Sequence, residues 1–212
     1  MSINIKCIMP CLFVSAMAFS QTSVSGFVYE DTHKNQKKEN REKGIEGVGV
    51  SNGAQVVLTD KNGRYSLPVQ EDQTIFVIKP SGYQTALNAN NLPQFYYHHK
   101  PKGSPADFKY KGVAATGDLP KELNFPLYKQ NENKNFDILV FGDPQPYTEK
   151  ELDYFKRGIV NEVKNTKKNA VLGISLGDLV GDNLSLQKPY ADVMKEVGLP
   201  WYNVMGNHDM NY

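Results

Sequence analysis

The first part of the chain consists of short runs in which residues alternate between two sides. Val24, Gly26 and Val28 alternate with their neighbours, and further runs follow at 54–59, 65–69 and 74–79. This is the period of a β-strand. The runs are separated by turn signals such as Asp60-Lys61-Asn62-Gly63, in which Asn and Gly tolerate a positive φ. Several short strands separated by turns predict a small β-sandwich.

The rest of the first part is less regular. Residues 86–120 are rich in Asn, Pro, Gly and Tyr and predict irregular structure, with His98 and His99 at the surface. Alternation returns at Leu123, Phe125 and Leu127, which predicts a last strand before the polar stretch 130–135. We place a domain boundary in that stretch.

The pattern changes from Phe136 onward. Apolar runs at 136–141, 170–176 and 201–205 predict strands. The segment after Thr148 has apolar residues at helical spacing, and Thr148 with Glu151 forms a capping-box signature. A second helix is predicted over 189–197, with Gly198 as its C-terminal cap. The order βαβαβ predicts a parallel sheet with crossover helices.

The first 20 residues predict a secretory signal peptide. Cys7–Phe19 is an apolar run of 13 residues, too short to span a bilayer, and Ala18-Phe19-Ser20 provides small residues for cleavage before Gln21. The protein is therefore expected to be exported, to a periplasm or the exterior, with a lipoprotein attached through Cys11 as the less favoured alternative. No second apolar run approaches membrane-spanning length.

Composition narrows the chemistry. The chain has 24 basic and 23 acidic residues, and removal of residues 1–20 leaves 23 of each. A balance this even does not favour binding of nucleic acid or of a membrane surface. Both cysteines lie in the first 20 residues, so any metal in the mature protein must be held by His, Asp, Glu, Asn or Gln.

Polar clusters follow each of the three predicted parallel strands. They are Gly-Asp-Pro-Gln at 142–145, Gly-Asp-Leu-Val-Gly-Asp-Asn at 177–183 and Gly-Asn-His-Asp at 206–209. Ligands of open α/β sheets bind at the carboxyl ends of the strands, so the three clusters are expected to converge. A pair of divalent cations about 3.5–4 Å apart needs such a collection of carboxylates, one of them bridging.

The three clusters resemble the calcineurin-like metallophosphoesterase superfamily. The resemblance implies two divalent metal ions (Mn, Zn, Fe or Mg), with Asp143 on the first, Asp178 bridging both and Asn207 on the second. Gln145 stands where many members have a histidine ligand. An amide oxygen binds more weakly than imidazole and favours Mn²⁺ or Mg²⁺.

The same resemblance assigns the catalytic residues. It implies that His208 stabilises charge on a phosphoester or protonates its leaving oxygen, and that Asp209 orients His208. Asp182 and Asn183 either support the site residues or are turn residues, and the sequence leaves both alternatives open. The implied substrate is a small phosphoester or a phosphorylated macromolecule.

The N-terminal strands carry a second resemblance. SGFVYED, GIEGVGVSNG and VVLTDKNGRYSL resemble the carboxypeptidase-regulatory-like, transthyretin-like β-sandwich. The predicted fold is therefore α+β with two domains: a signal peptide at 1–20, a β-sandwich with an irregular extension at 21–130, and the first βαβαβ half of a metallophosphoesterase α/β sandwich at 131–212. The partner of the sandwich is not indicated.

Two functional interpretations follow. The first is metal-dependent hydrolysis of phosphoesters. Because the family's downstream Gly-His-x-His is not present, the chain is expected to be an N-terminal fragment with little activity alone. The alternative is a non-catalytic sandwich that binds a cell-envelope partner or glycan and carries a remnant of the hydrolase. An exported nuclease is less favoured, because the chain has no basic stripe.

Overall fold

The computed structural model describes residues 22–211, which form a mixed α+β structure that is rich in sheet and has two helices. The signal peptide predicted over residues 1–20 lies outside the described residues and stays a prediction. Within 22–211, no helix combines the length and apolar character needed to cross a membrane.

The N-terminal β region, residues 22–129, contains two sheets. Its strands are β1 (Ser23–Glu30), β2 (Gly49–Ser51), β3 (Val56–Leu58), β4 (Arg64–Pro68), β5 (Gln73–Val77), β6 (Tyr83–Leu87), β7 (Pro93–Gln94), β8 (Tyr96–His99) and β9 (Phe125–Lys129). One sheet has the order β4-β1-β9-β6-β7 and the other β3-β2-β5-β8. All pairs are antiparallel except β1 with β9.

The two sheets share one apolar core. Leu67 and Leu127 from the first sheet are fully buried in the same cluster as Val50 and Ile75 from the second. The alternation seen in the sequence places these residues on the inner faces of the strands. The core therefore supports the predicted packing of sheet on sheet, while the transthyretin-like class and the separate domain stay predictions.

Residues 86–120 are less irregular than the sequence predicts. Strand β8 lies in this segment and pairs with β5, with Tyr97 opposite Ile75. His98 is exposed as expected, but His99 is only 6% exposed. The run Phe95–His99 contains no strong alternation of apolar and charged residues, so pairing with β5 supplies an order that the sequence pattern does not show.

The C-terminal α/β region, residues 137–211, has the predicted order. Its elements are β10 (Asp137–Phe141), α1 (Glu149–Phe155), α2 (Asn161–Thr166), β11 (Ala170–Ser175), α3 (Gln187–Met194) and β12 (Trp201–Asn203). A π-helical stretch, Lys156–Val160, joins α1 and α2 into one continuous helix. The strands form a parallel sheet in the order β10-β11-β12. Thr148 and Glu151 make both bonds of the capping box, and Gly198 ends the last helical turn with φ +72°, as predicted.

The two faces of this sheet are covered differently. The helices cover one face, where Trp201 and Tyr190 are buried and both hydrogen-bond to the Ser175 hydroxyl. The other face, which we call the open face, carries apolar side chains that are about half exposed: Ile138, Val140, Leu176 and Val204. Along β10 and β11 the register places successive side chains alternately on these two faces.

Candidate functional site

The three loops that follow the parallel strands meet at one edge of the sheet, as the sequence predicts. We call residues 142–147 the first loop, 177–183 the second and 204–211 the third. The Gln145 amide donates to the Asp178 carbonyl at 2.9 Å, which joins the first loop to the second. The His208 amide donates to Asp178 Oδ1 at 3.0 Å, which joins the third loop to the second. Asp178 therefore lies at the centre of the three loops.

Glycine at position 206 permits this close approach. A Cβ added to Gly206 would lie 2.1 Å from Asp178 Oδ1 and 2.3 Å from the Asp178 nitrogen, far inside van der Waals contact. Gly142, which precedes Asp143, has open space where its Cβ would lie. The requirement for glycine is thus steric at position 206 and absent at 142.

Three residues of the site have a backbone conformation that side chains other than glycine adopt rarely. The φ angle is +40° at Gln145, +47° at Asp178 and +59° at Asp182. Such residues are uncommon, although Asp is enriched among them, and they cluster at functional sites where surrounding bonds hold them. The first and second loops are therefore held in a particular shape by their contacts.

Asp209 holds the second and third loops together. Its carboxylate is buried and accepts bonds from the backbone amides of Gly206 (2.9 Å), Leu179 (3.1 Å) and Val180 (3.3 Å). A buried carboxylate is stabilised by several N–H donors of this kind. The sequence assigned Asp209 to the orientation of His208, and the structure corrects that role: Asp209 binds backbone amides.

Asp182 makes the contact that was expected of Asp209. Its Oδ1 lies 2.8 Å from Nδ1 of His208. Of the two alternatives left open for Asp182, the structure therefore favours support of a site residue. Asn183 accepts a bond from the Ser185 hydroxyl at 2.6 Å and lies at the start of a short 3₁₀ turn, in the manner of a turn residue.

The other ring nitrogen of His208 faces Gln145. Hydrogen bonding fixes the orientation of the Gln145 amide: its nitrogen faces Asp143 Oδ1 at 2.9 Å, and its oxygen lies 2.8 Å from His208 Nε2 and 3.0 Å from the Tyr147 hydroxyl. The opposite orientation would place the amide oxygen against the carboxylate of Asp143. A chain of hydrogen bonds thus runs from Asp143 through Gln145 and His208 to Asp182.

This chain requires His208 to carry a proton on both ring nitrogens. Nδ1 faces a carboxylate oxygen and Nε2 faces an amide oxygen, and both oxygens are acceptors. The hydrogen bond to Asp182 is the largest cause that raises the pKa of His208, and the negative charges of Asp182, Asp178 and Asp143 act in the same direction against partial desolvation. The site therefore holds an imidazolium among three carboxylates.

The predicted metal ligands do not form a complete metal site. Among the residues that the structure describes, no group of three or more His, Cys, Asp or Glu side chains could hold a metal ion. The Gln145 oxygen is used by Tyr147 and His208, and its nitrogen, which cannot bind a metal, faces Asp143. Asn207 is exposed in the third loop. The arrangement supplies carboxylate and amide oxygens at one place but does not fit two bound cations, so we derive no chemical step through a metal.

Two tyrosines of the site were missed in the sequence. The Tyr147 ring packs against Gly181 and meets the His208 ring edge-on, with centroids 6.2 Å apart. Tyr110 comes from the N-terminal β region, and its hydroxyl lies 3.2 Å from the Asp182 carbonyl. Tyr147 lies two residues after Gln145 and could have been suspected from that proximity, whereas no signal in the sequence relates Tyr110 to residues 72 positions away.

The fold and the site together define a class: a parallel α/β sheet with an acidic, imidazolium-containing site at the carboxyl ends of its strands. The comparison with protein families points to the same class from the other half of the chain. Residues 31–113 match the family model described as the N terminal of calcineurin-like phosphoesterase. No curated protein matches the chain.

The matched segment and the motifs do not overlap. The family match ends at residue 113, whereas the three motifs begin at residue 142. The two observations therefore support a relation to calcineurin-like phosphoesterases independently. The carboxypeptidase-regulatory-like resemblance, which falls on the same N-terminal strands, receives no support from this comparison and stays a prediction.

Proposed function

We propose that this chain carries part of the active site of a metal-dependent phosphoesterase. The observation that carries the proposal is the convergence of Asp143, Asp178 and His208 from three separate loops at one sheet edge. The family match of residues 31–113 supports the same class. The proposed reaction is the hydrolysis of a phosphomonoester or phosphodiester in a small molecule or a phosphorylated macromolecule.

In this proposal His208 acts on the negatively charged substrate. Its raised pKa keeps the ring cationic at neutral pH, and a cation stabilises charge that develops on phosphoryl oxygens or donates a proton to the leaving oxygen. Asp182 holds Nδ1, which leaves Nε2 as the nitrogen that exchanges its bond to Gln145 for one to substrate. Asp182 is thus the residue that orients the imidazole.

The two divalent ions are part of the proposal and are not yet assigned to a complete ligand set. Asp143, Asp178 and Asn207 offer oxygen donors that suit Mn²⁺ or Mg²⁺ as well as Zn²⁺ or iron. Such ions would supply electrostatic stabilisation of the phosphoryl group and activation of water. Gln145 would have to rotate its amide to offer its oxygen, and further donors beyond those described are needed. Export, and the fragment nature of the chain, are proposals that come from the sequence alone.

The alternative function is a non-catalytic binding module that carries a remnant hydrolase region. The specific observation in its favour is that the described residues lack a group of three metal-binding side chains. The two proposals predict opposite results for metal binding at Asp178, so one experiment separates them.

The experiment is a titration of the 212-residue chain with Mn²⁺, followed by the electron paramagnetic resonance signal of the free ion. The phosphoesterase proposal predicts binding that Asp178→Asn weakens by at least about tenfold. Asp118→Asn is the matched control, because Asp118 is an exposed residue of the N-terminal β region, and it should leave binding unchanged. Equal binding by both variants, or none by the parent chain, would favour the binding module.

Turnover is the second measurement. We expect Mn²⁺-dependent hydrolysis of p-nitrophenyl phosphate or its bis-ester to be slow, because the described ligand set is incomplete. His208→Ala should lower it by about 10²-fold with Mn²⁺ binding retained. An undiminished rate in His208→Ala would refute the role of His208, and hydrolysis of DNA in preference to both esters would indicate a nuclease.

A further inference from the structure

A closed loop of the N-terminal β region reaches the site. The loop, which we call the arm, spans residues 100–118 and follows β8. It is closed at its base by the bond from the Thr116 amide to the Lys100 carbonyl (3.0 Å) and further along by the bond from Ser104 to Val113 (2.9 Å). Tyr110 lies on the arm, and it is the residue that contacts the loops of the α/β region.

Tyr110 is bound to the third loop through its backbone. Its amide donates to Asn211 Oδ1 at 3.1 Å, and its carbonyl accepts from Asn211 Nδ2 at 2.7 Å. A side-chain amide that satisfies both backbone groups of one residue fixes that residue in position and orientation. The backbone of Tyr110 is therefore held by Asn211 independently of its own side chain.

The Tyr110 side chain reaches the second loop. Its hydroxyl lies 3.2 Å from the Asp182 carbonyl and 3.3 Å from Asn183 Oδ1. Both distances exceed the usual 2.7–2.8 Å for O–H···O bonds, because one proton is shared between two acceptors. One residue thus joins the second and third loops from the opposite region of the molecule.

The orientation of Asp182 depends on its backbone. The Asp182 side chain is 67% exposed, so packing does not hold it, and its φ of +59° is a conformation that needs support from neighbours. Its carboxylate nevertheless lies 2.8 Å from His208 Nδ1. A bond to the Asp182 carbonyl restricts rotation of this backbone and so fixes the direction of the carboxylate.

We propose that Tyr110 is a positioning residue, which holds the Asp182 backbone so that the Asp182 carboxylate binds Nδ1 of His208. The N-terminal β region is then a structural component of the site. The proposal rests on the proposed function only in that His208 is the group whose orientation serves the chemistry.

The test reads the Nδ1 proton of His208 directly by proton NMR of the 212-residue chain. A hydrogen bond to a carboxylate slows exchange of this proton with water, and His208→Gln identifies the signal among the four histidines. We expect Tyr110→Phe, which keeps the ring, to speed the exchange by about fivefold, the size expected for one neutral hydrogen bond. Asn211→Ala should act in the same direction and more strongly, because it releases both backbone bonds of Tyr110.

Two further variants bracket this result. Asp182→Asn removes the carboxylate and should abolish the slow exchange. Tyr96→Phe is the matched control, since Tyr96 is a 44% exposed tyrosine in β8 of the same region, and it should have no effect. Thermal unfolding of each variant establishes that the fold is retained.

The proposal is overturned if Tyr110→Phe and Asn211→Ala leave the exchange unchanged while Asp182→Asn speeds it. It is also overturned if Asp182→Asn itself has no effect, because the Asp182–His208 bond would then be absent. These outcomes do not depend on metal binding or turnover. A failure of Asp178→Asn to alter Mn²⁺ binding would remove the proposed function and leave the result for Tyr110 standing.

Discussion

The N-terminal β region and the α/β region differ in how they cover their apolar surface. In the first, two sheets bury each other's inner faces around one core that includes Val28, Leu67 and Leu127, each fully buried. In the second, helices bury one face of the parallel sheet, while the open face leaves Val140 55% and Leu176 53% exposed. A cavity of about 570 Å³ lies between part of the open face and the N-terminal β region.

The difference shows that the two regions depend on different interactions. Burial of apolar area at about 25 cal/mol per Å² stabilises the closed core of the N-terminal β region. The loops of the site depend instead on polar contacts and close backbone approach, which centre on Asp178, Gly206 and Asp209. A contiguous exposed apolar face is also unusual for a soluble protein surface.

The largest expected effect tests the contrast in burial with a matched pair of leucines. Leu67→Ala removes a fully buried side chain and should lower the free energy of unfolding by about 2–5 kcal/mol. Leu176→Ala removes a side chain that is already half exposed and should change it by no more than about 0.5 kcal/mol. Urea unfolding followed by circular dichroism measures both.

The single tryptophan sharpens this comparison. Trp201 is buried among the helices of the α/β region, so its fluorescence reports unfolding there, whereas circular dichroism reports both regions. If the two regions are stabilised separately, Leu67→Ala shifts the circular dichroism transition more than the fluorescence transition. An equal shift in both would show that contacts between the regions, such as the 3.0 Å bond from the Trp201 amide to Asn91, couple them fully.

The second prediction tests whether close approach holds the site. Gly206→Ala would place a Cβ 2.1 Å from Asp178 Oδ1 and should destabilise the α/β region by about 1–3 kcal/mol, the range for overpacking. Gly142→Ala adds a methyl group in open space and is the control. Trp201 fluorescence in urea measures both. Equal stability of the two variants would mean that the loops can separate without cost.

The third prediction concerns the buried carboxylate. Asp209→Asn keeps the shape but replaces one acceptor oxygen by a donor that faces backbone N–H groups, so it should cost about 1–3 kcal/mol. Asp153→Asn is the control, because Asp153 makes an exposed i,i+4 pair with Arg157 that contributes little. A loss in Asp209→Asn with an unchanged His208 Nδ1 proton would agree with the role that the structure gives Asp209. A change in that proton would restore the role predicted from the sequence.

Local patterns accounted for much of the fold and for the meeting of the loops. The capping box at Thr148 is a contact between residues three apart, and parallel strands bring their carboxyl ends to one edge whatever their detailed packing. Strand β8 escaped because it depends on pairing with β5, and such pairing is not encoded by alternation alone.

The roles within the site were harder to predict. The sequence places Asp209 next to His208, but a 3₁₀ turn over Asn207–Asp209 directs the Asp209 carboxylate to the backbone and leaves His208 to Asp182, 26 residues earlier. Tyr110 could not be found at all, because its contact with Asp182 follows from how the two regions pack. Motifs identify which residues gather, and tertiary contacts decide which of them pair.

The smallest expected effect lies in the segment that joins the two regions, where Glu132 binds back to the N-terminal β region. Its carboxylate accepts bonds from Lys79 (2.7 Å), Ser81 (2.8 Å) and the Gly82 amide (2.9 Å), and the bond from Lys79 is the largest cause that lowers its pKa to about 2. A lowered pKa means that the stabilisation is fully present above the ordinary value of 4.5 and is lost as the pH falls towards about 2. Glu132→Gln should therefore lower the urea midpoint slightly at pH 7, and its difference from the parent chain should vanish at the acidic end, while Glu46→Gln, an exposed control, shows no such difference at either pH. A difference that persists unchanged to the lowest pH would mean that shape rather than charge at position 132 joins this segment to the N-terminal β region.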